Sequence, residues 1–185
     1  MCGIIGYVGT EPCAQLLLDG LSKLEYRGYD SAGVAVVSDG VLGIRRAEGK
    51  LRNLVQTLDA DPVDGTLGIG HTRWATHGRP SETNAHPHAV GTVAVVHNGI
   101  IENHLELKRE LEASGHTFES ETDTEVVAHL VWREREEGHD LPTSVRRAVR
   151  QLKGAYALVV IDAADPSQLV AARYASPLVL GLGEG

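Results

Sequence analysis

Short runs rich in Val and Ile, each bounded by Gly or Asp, recur along the chain and are typical of β-strands. They predict strands at Gly3–Val8, Gly33–Ser38, Leu42–Arg46, Leu67–Thr72, Thr92–His97, Ala155–Asp162, Leu169–Arg173 and Leu178–Leu182. Apolar residues at helical spacing predict helices at Pro12–Glu25, at Asn103–Ala113, in a stretch that begins near Thr122, and at Pro142–Leu152. Because strands and helices do not alternate strictly, the pattern favours an α+β fold with antiparallel sheets over a doubly wound parallel sheet.

Three of these helices carry start signals. Thr122 and Glu125 have the spacing of a capping box, in which two side chains satisfy the free N–H groups at a helix start. Asn103 begins its helix in a similar way, and Pro142 stands in the first turn, where proline is tolerated. The charged stretch Arg133–Asp140 is then interpreted as the solvated end of the helix that begins near Thr122.

Composition and charge limit the class of protein. The chain has 185 residues, of which 42% are hydrophobic and 23% are charged, as is usual for one globular domain. No apolar run approaches the roughly 20 residues that a membrane helix needs. The net charge of -8 gives no general attraction to nucleic acid or to an anionic membrane. We therefore expect neither nucleic acid nor a membrane as a partner.

The N-terminal segment and the cysteine count indicate a compartment. The start MCGIIGYVGT lacks the basic and apolar regions of a secretory signal, which predicts a cytoplasmic protein. In that reducing environment a disulfide between Cys2 and Cys13 is disfavoured. Two cysteines also cannot form a four-thiolate zinc site.

Cys2 is the position that says most about chemistry. If Met1 is removed, Cys2 carries both a thiol and a free α-amine, and an amine that titrates near ~7.7–8.0 can act as a base toward the adjacent thiol. The alternative is that Cys2 is a small buried residue that opens a strand, as free cysteines commonly are. Cys13 lies in the first predicted helix, has no amine beside it, and is expected to pack in the core.

Two polar segments follow predicted strands. In His71–Gly78, Arg73 offers a planar guanidinium suited to a carboxylate, although an arginine in a loop is often only a solvated charge. In His97–Asn103, the dipeptide Asn98-Gly99 is first of all a turn signal. Its functional interpretation is an oxyanion hole made of the Asn98 side-chain amide and the Gly99 N–H.

Two further features concern charged ligands and metals. Asp123 lies in the predicted capping segment, where its carboxylate could meet the ammonium group of a ligand. Several histidines are near one another in the sequence, namely His71, His77, His86, His88 and His97. Because no HExxH motif and no carboxylate at ligand spacing accompany them, we expect no metal. A histidine-based metal hydrolase remains the alternative from a different class.

Taken together and in order, these segments resemble the class II glutamine amidotransferase domains. The matching segments are Cys2–Gly6, Glu25–Gly33, His71–Gly78, Asn84–His88, His97–Asn103 and Ser120–Glu125. Within that class they are most similar to the N-terminal glutaminase domains of the glucosamine-6-phosphate synthases. The resemblance implies the N-terminal nucleophile hydrolase fold, a four-layer α/β/β/α sandwich of two antiparallel sheets between helices.

The resemblance also implies a role for each site residue. Cys2 is then the nucleophile and its α-amine the base, while Asn98 and Gly99 form the oxyanion hole. The glutamine-binding residues are Arg73, Trp74, Thr76, His77, Asp123, Arg27 and Gly28. Among these, Arg73 is expected to bind the α-carboxylate and Asp123 the α-ammonium. The implied reaction converts L-glutamine to glutamate and ammonia without a cofactor.

The resemblance covers the chain from Cys2 to its last residues. It implies one glutaminase domain over 2–185 that is incomplete at its C-terminus. In the complete synthases, which are implied to be homodimers, this domain supplies ammonia for the conversion of fructose 6-phosphate to glucosamine 6-phosphate. The isomerase domains that bind the sugar are absent from this chain. The alternative is a catalytically silent module of the same fold that binds glutamine without turnover.

Overall fold

The computed structural model describes residues 2–183. Met1, whose removal the sequence analysis invokes, lies outside the described residues, as do Glu184 and Gly185 at the end of the predicted domain. Over the described range the chain forms two four-stranded antiparallel sheets and five α-helices, which confirms the predicted α+β class. None of the helices in this range has the length and apolar character needed to cross a membrane.

The first sheet brings the N-terminal end of the chain to the end of a central strand. It consists of β1 (Gly3–Val8), β2 (Ser31–Ser38), β3 (Val41–Glu48) and β4 (Leu67–Arg73). The strands lie in the order β1-β4-β2-β3, and every pair is antiparallel. The register pairs Gly3 with Thr72. Cys2 therefore lies beside the carboxyl end of β4, next to Arg73.

The second sheet is centred on one long antiparallel pair of strands. It consists of β5 (His88–Val90), β6 (Val93–Ile101), β7 (Gly154–Asp162) and β8 (Leu169–Tyr174), in that order. The pairing of β6 with β7 runs over the full length of both strands, from Val93 opposite Asp162 to Ile101 opposite Gly154. Asn98 and Gly99 are thereby fixed inside a paired strand.

Helices cover the outer face of each sheet. They are α1 (Cys13–Leu24), α2 (Leu51–Ala60), α3 (His104–Ala113), α4 (Glu125–Glu136) and α5 (Leu141–Val149), with a short 3-10 turn at Glu25–Arg27. Leucines of α1 and α2 pack on the first sheet, and apolar residues of α3, α4 and α5 pack on the second. The two sheets face each other, which confirms the four-layer arrangement.

A third apolar cluster lies between the sheets. Its buried members are Ala35, Val37, Leu67, Ile69, Ala94, Val96, Val159, Ile161 and Ala163. The strands β2, β4, β6 and β7 are therefore covered on both faces. This explains why their sequences are nearly continuous apolar runs and do not alternate between apolar and polar residues.

Some strand boundaries differ from the prediction. Leu178–Leu182 forms no strand, because Val179 and Leu182 are 91% and 92% exposed and have no neighbouring strand. The Asn98-Gly99 pair does not make a turn, because β6 continues through it to Ile101. Strand β4 extends one residue beyond the predicted Leu67–Thr72, because its pairing with β2 continues to Arg73, opposite Ser31.

The predicted capping box is also wrong. Helix α4 begins at Glu125 without a side-chain cap, and the Thr122 hydroxyl instead contacts Nε2 of His88 at 3.0 Å. The Glu125 carboxylate accepts from the N–H groups of Glu119 and Ser120. Thr122 thus binds a residue of β5, and Glu125 binds the loop that precedes it, and these partners displace the capping interaction.

The other two start signals have different outcomes. Asn103 precedes α3 but does not cap it, because its amide bridges to Gln151 and Lys153. Pro142 does lie in the first turn of α5, where the Asp140 carboxylate accepts from the N–H of Thr143 as a true cap.

Candidate active site

Three of the predicted site residues meet at Cys2. The Cys2 carbonyl oxygen accepts from Nε of Arg27 and from Nδ2 of Asn98, each at 3.2 Å. The Cys2 sulfur accepts from the Trp74 N–H at 3.3 Å and lies 3.7 Å from the Trp74 carbonyl oxygen. Residues from the 3-10 turn, the end of β4 and the middle of β6 thus surround one thiol. Cys2 is partly exposed, whereas Cys13 is buried.

The environment of the Cys2 thiol does not by itself produce a thiolate. Burial raises its pKa above the ordinary value, and the Trp74 N–H and the Arg73 charge offset this only in part. The thiolate is the nucleophilic form of cysteine. A reaction at Cys2 near neutral pH therefore requires a base that removes the thiol proton during attack.

Arg73 is a buried charge, which contradicts the interpretation of a solvated loop arginine. The residue is 3% exposed, and its Nη2 donates to the carbonyl oxygens of His77 and Gly78, the latter at 3.1 Å. Its buried Nη1 has no hydrogen-bond partner among the described residues. Burial lowers the pKa of the guanidinium, while Cys2, Asp123 and Asp30 raise it. Arg73 therefore brings a buried guanidinium to the end of β4, with one donor group that the described residues leave unpaired.

Asp123 supplies the opposite charge nearby. Its side chain lies in the loop before α4, in a residue that is 4% exposed, and Oδ2 accepts from the Ile101 N–H at 2.8 Å. The Asp123 charge acts on both Cys2 and Arg73, raising the pKa of each. A buried carboxylate and a buried guanidinium thus both lie near Cys2.

Asn98 and Gly99 are held at the same place by β6. The Asn98 side chain points to Cys2, as its hydrogen bond to the Cys2 carbonyl shows. Gly99 has φ +139°, and a Cβ placed on it would lie 2.1 Å from the Ala155 carbonyl oxygen. Only glycine fits there, because both the backbone conformation and the contact with β7 exclude a side chain. The strand therefore presents the Asn98 amide toward Cys2, next to a glycine whose backbone lies close against β7.

The segment after β4 covers the site as a short loop. Trp74 is 46% exposed and packs edge-on against the ring of Tyr29, with centroids 5.6 Å apart. Nδ1 of His77 lies 3.3 Å from the Thr76 hydroxyl oxygen. The loop is anchored by Asp30, whose Oδ2 accepts from the Ala75 N–H at 2.8 Å. Sequence reasoning missed Asp30, although it lies within the matching segment Glu25–Gly33.

Gly28 allows this loop to approach the 3-10 turn. A Cβ on Gly28 would lie 2.6 Å from the carbonyl carbon of Arg73. Any other residue would push the backbone of Arg73 away from the turn that carries Arg27. Gly28 therefore acts through close backbone packing, while Arg27 contacts Cys2 directly.

The central histidines form a buried hydrogen-bonded cluster. Nε2 of His86 and Nδ1 of His97 each lie 2.8 Å from the Thr124 hydroxyl oxygen, and Nε2 of His71 lies 2.9 Å from the His97 carbonyl oxygen. Burial lowers the pKa of His71 and His88 to about 3 and that of His97 to about 4. These rings are neutral at pH 7, and several of their nitrogens already have protein partners.

The described residues place possible metal ligands together elsewhere. Glu134, Glu137 and His139 bring one ligand atom each within 4.8 Å of one another. Arg147 already contacts Glu134 at 3.1 Å, so a cation of the protein occupies this group. None of the five histidines considered in the sequence analysis belongs to it, and the alternative of a histidine metal centre gains no support.

Comparison with known proteins defines the class. The model of the glutamine amidotransferase domain family matches residues 71–182. A glutamine phosphoribosylpyrophosphate amidotransferase from B. subtilis superposes on 88% of this chain and 35% of its own, with a TM-score of 0.76 and 32% identity. A class-II glutamine aminotransferase domain protein from Silicibacter pomeroyi shares the fold, with a TM-score of 0.59 and 22% identity over 97% of this chain and 79% of its own. The chain belongs to the glutamine amidotransferase domain family and has the N-terminal nucleophile hydrolase fold.

The relatives in sequence are more specific. The chain is 57% identical over its full length to a glutamine–fructose-6-phosphate aminotransferase (isomerizing) of Brucella suis, and 56% identical to one of Rhizobium meliloti. It spans 30% of the length of each. The predicted resemblance is confirmed at the level of the family and of these relatives.

Proposed function

We propose that this chain hydrolyses the side-chain amide of L-glutamine through a thioester on Cys2. The observation that carries the proposal is the meeting of Arg27, Trp74 and Asn98 at Cys2, beside the buried charges of Arg73 and Asp123. A free amino acid carries one carboxylate and one ammonium group at its α-carbon. Arg73 and Asp123 offer one opposite charge for each, and this pair selects an α-amino acid and directs its side chain to the thiol.

The first half-reaction forms the thioester. After Met1 is removed, the α-amine of Cys2 takes the thiol proton while the sulfur attacks the amide carbon of glutamine. The negative charge that develops on the amide oxygen is stabilised by the Asn98 amide and the Gly99 N–H. The tetrahedral intermediate then collapses, the C–N bond breaks, and the α-ammonium returns its proton to the leaving nitrogen, which departs as ammonia.

The second half-reaction releases glutamate. Water gives a proton to the α-amine of Cys2 and attacks the thioester carbon, and the same two donors stabilise the second oxyanion. The C–S bond breaks and the proton returns to the sulfur. The loop that holds Trp74, Thr76 and His77 would cover glutamine during both steps and limit the access of bulk water.

The names of two relatives indicate an acceptor for the ammonia. The names of the relatives from Brucella suis and Rhizobium meliloti include fructose 6-phosphate as a substrate. We infer that residues 2–185 are the glutaminase part of a longer, homodimeric, cytoplasmic enzyme that converts fructose 6-phosphate to glucosamine 6-phosphate. In that enzyme the sugar would bind to the isomerase domains, and this chain would need no cofactor.

The proposal is tested by covalent labelling with a diazoketone analogue of L-glutamine. Intact-mass measurement and peptide mapping should find one adduct, on an N-terminal Cys2 from which Met1 has been removed. Cys2→Ala should give no adduct and release no glutamate, whereas the matched variant Cys13→Ala should keep both activities. An adduct on Cys13 would overturn the mechanism. If the chain lacks Met1, forms no adduct and still binds glutamine in calorimetry, it is instead a silent binding module.

A further inference from the structure

His97 connects three segments that carry the proposed glutamine site, namely β4, β6 and the loop before α4. Its carbonyl oxygen accepts from Nε2 of His71 at 2.9 Å, and its Nδ1 lies 2.8 Å from the Thr124 hydroxyl oxygen. His97 is 3% exposed, and His71 and Thr124 are fully buried. Neither bond is available to solvent, so both hold the same partners as long as the fold persists.

Each member of this group is close in sequence to a residue of the site. His71 lies two residues before Arg73 in β4, and His97 immediately precedes Asn98 in β6. Thr124 immediately follows Asp123 in the loop before α4. The two hydrogen bonds of His97 therefore join the backbone segments that carry the proposed carboxylate, oxyanion and ammonium partners of glutamine.

A second bond makes the connection between the loop and β6 rigid. Oδ2 of Asp123 accepts from the Ile101 N–H at 2.8 Å. The loop is thus attached to β6 at His97 through Thr124 and at Ile101 through Asp123, on either side of Asn98 and Gly99. With only the Asp123 bond, the loop could pivot about one point; with both bonds, its position along the strand is fixed.

The chemistry of these groups determines which of them donates each hydrogen bond. The His97 carbonyl can only accept, so His71 donates from Nε2 and is the Nε2–H tautomer. The Thr124 hydroxyl has one proton and contacts two rings, so it donates to one of His86 and His97 and accepts from the other. Burial lowers the pKa of His86 and His97, so both rings are neutral at pH 7. A neutral ring has one nitrogen that donates and one that accepts, as this arrangement of hydrogen bonds requires.

We propose that Thr124 and His97 are positioning residues that set the distance between the Asp123 carboxylate and the oxyanion donors of β6. The inference rests on the proposed glutamine hydrolysis. Neither residue contacts the substrate in this arrangement. The Thr124–His97 bond keeps the ammonium partner in register with Asn98 and Gly99, so that a bound amino acid delivers its amide to Cys2.

The test compares two alkylating reagents on variants of Thr124 in the full chain. Thr124→Val keeps the shape and removes the hydroxyl, and Thr124→Ser keeps the hydroxyl. Ser144→Ala removes a buried hydroxyl of α5 that donates to the Asp140 carbonyl oxygen and contacts none of the proposed site residues. The diazoketone analogue of L-glutamine reports amino-acid recognition, because its labelling rate saturates. Iodoacetamide reports only the reactivity and exposure of Cys2, and the mass of a Cys2 peptide is the readout for both.

We expect Thr124→Val to require about tenfold more analogue for half-saturation, because it removes the hydroxyl that contacts both His97 and His86, and leaving a buried polar group unpaired typically has an effect of this size. Its iodoacetamide rate should equal that of the wild type, and Thr124→Ser and Ser144→Ala should behave as the wild type with both reagents. An unchanged half-saturation in Thr124→Val would overturn the inference. An equal loss with both reagents would also overturn it, because it would indicate general disruption of the site.

Two controls separate the inference from folding and from the proposed function. If Thr124→Val does not fold, His97→Asn and His97→Leu ask the same question, because the Asn amide can replace the Nδ1 interaction and Leu cannot. Half-saturation in His97→Asn should then stay near that of the wild type, and equal values for the two variants would contradict the inference. A wild-type chain that reacts with iodoacetamide but not with the analogue would refute the proposed function itself.

Discussion

The strands β4 and β6 face each other across the sandwich, and their two halves have opposite character. Toward one end the facing side chains are apolar and fully buried, namely Leu67, Ile69, Ala94 and Val96. Toward the other end the buried residues of these strands are polar: His71 and Arg73 in β4, and His97 in β6, whose carbonyl oxygen accepts from Nε2 of His71. One pair of strands thus contains both an ordinary core and a hydrogen-bonded cluster beside the proposed site.

This difference shows that the same pair of strands can stabilise the fold with one half and orient the site with the other. Apolar contacts are non-directional, so the first half stabilises the fold without fixing any angle. Hydrogen bonds are directional, and buried polar groups are costly unless they are paired. The polar half therefore gives less stability per residue but holds the site in one geometry. The two halves should respond differently to substitution.

The largest effect is expected in the polar half, at Asn98. Asn98→Ala removes one proposed oxyanion donor, for which a loss of about a hundredfold to a thousandfold in glutaminase rate is typical. Its thermal midpoint should change little, because the side chain is only half-buried. Steady-state release of glutamate measures the rate. Asn103→Ala is the matched control, since Asn103 bridges to Gln151 and Lys153 away from Cys2 and should affect stability only.

Substitution in the apolar half should lower stability and leave the rate nearly unchanged. Ile69→Ala leaves a cavity between the sheets, and such a truncation typically destabilises a protein by about 2–5 kcal/mol. Equilibrium unfolding in urea measures the loss, and the glutaminase rate of the folded protein should stay within about twofold of the wild type at temperatures where the variant is folded. Val41→Ala, at a position 66% exposed in β3, should cost almost nothing. A large fall in rate with unchanged stability for Ile69→Ala would mean that the two halves are not separable.

A smaller effect per residue is expected on acidification. The folded pKa of His71 and His88 is about 3 and that of His97 about 4, against an ordinary value of 6.5. Below that ordinary value the unfolded chain takes up protons that the folded chain does not. Stability is therefore complete above pH 6.5 and is lost as the pH falls toward 4, by up to about 1.4 kcal/mol per pH unit for each histidine.

Unfolding curves between about pH 7 and about pH 5 test this dependence. His88→Gln, whose amide can still contact Thr122, should reduce the slope by the share of one histidine. A wild-type stability that is constant over this range would show that the cluster accepts protons in the folded state. Glu125, whose pKa is lowered to about 2 by hydrogen bonds despite its burial, would add to the loss only below pH 4.5.

Much of the fold could be predicted because its signals are local. The runs that became β1, β2, β4, β6 and β7 are apolar over most of their length, and such runs are recognisable without knowledge of their partners. Two elements were missed for different reasons. The strand β5 has only three residues, His88–Val90, which is too short for any periodic signal. Helix α2 had a usable signal in the spacing of Leu51, Leu54 and Leu58, which also form its buried face.

The errors arose where a tertiary partner overrode a local preference. Asn98-Gly99 is a strong turn signal, but β7, more than fifty residues away, pairs with β6 through it. Thr122 and Glu125 have the spacing of a cap, but His88 and Ser120 bind them instead. The motif Asn98-Gly99 still identified the right neighbourhood, since Asn98 contacts Cys2. The Thr124–His97 bond had no local signal, because it joins residues far apart in the chain.

The two cysteines provide the smallest expected effect. Cys13 is fully buried in α1 against the first sheet, and burial raises the pKa of its thiol to about 11. It should not react with iodoacetamide in the folded protein at neutral pH, because it is neither accessible nor ionised. Cys13→Ala should therefore leave the glutaminase rate unchanged and lower stability by only about 1 kcal/mol. Time-resolved peptide mapping should show alkylation of Cys2 first and of Cys13 only after unfolding. Early alkylation of Cys13 would mean that α1 opens readily. The first sheet would then not be a rigid support for the site.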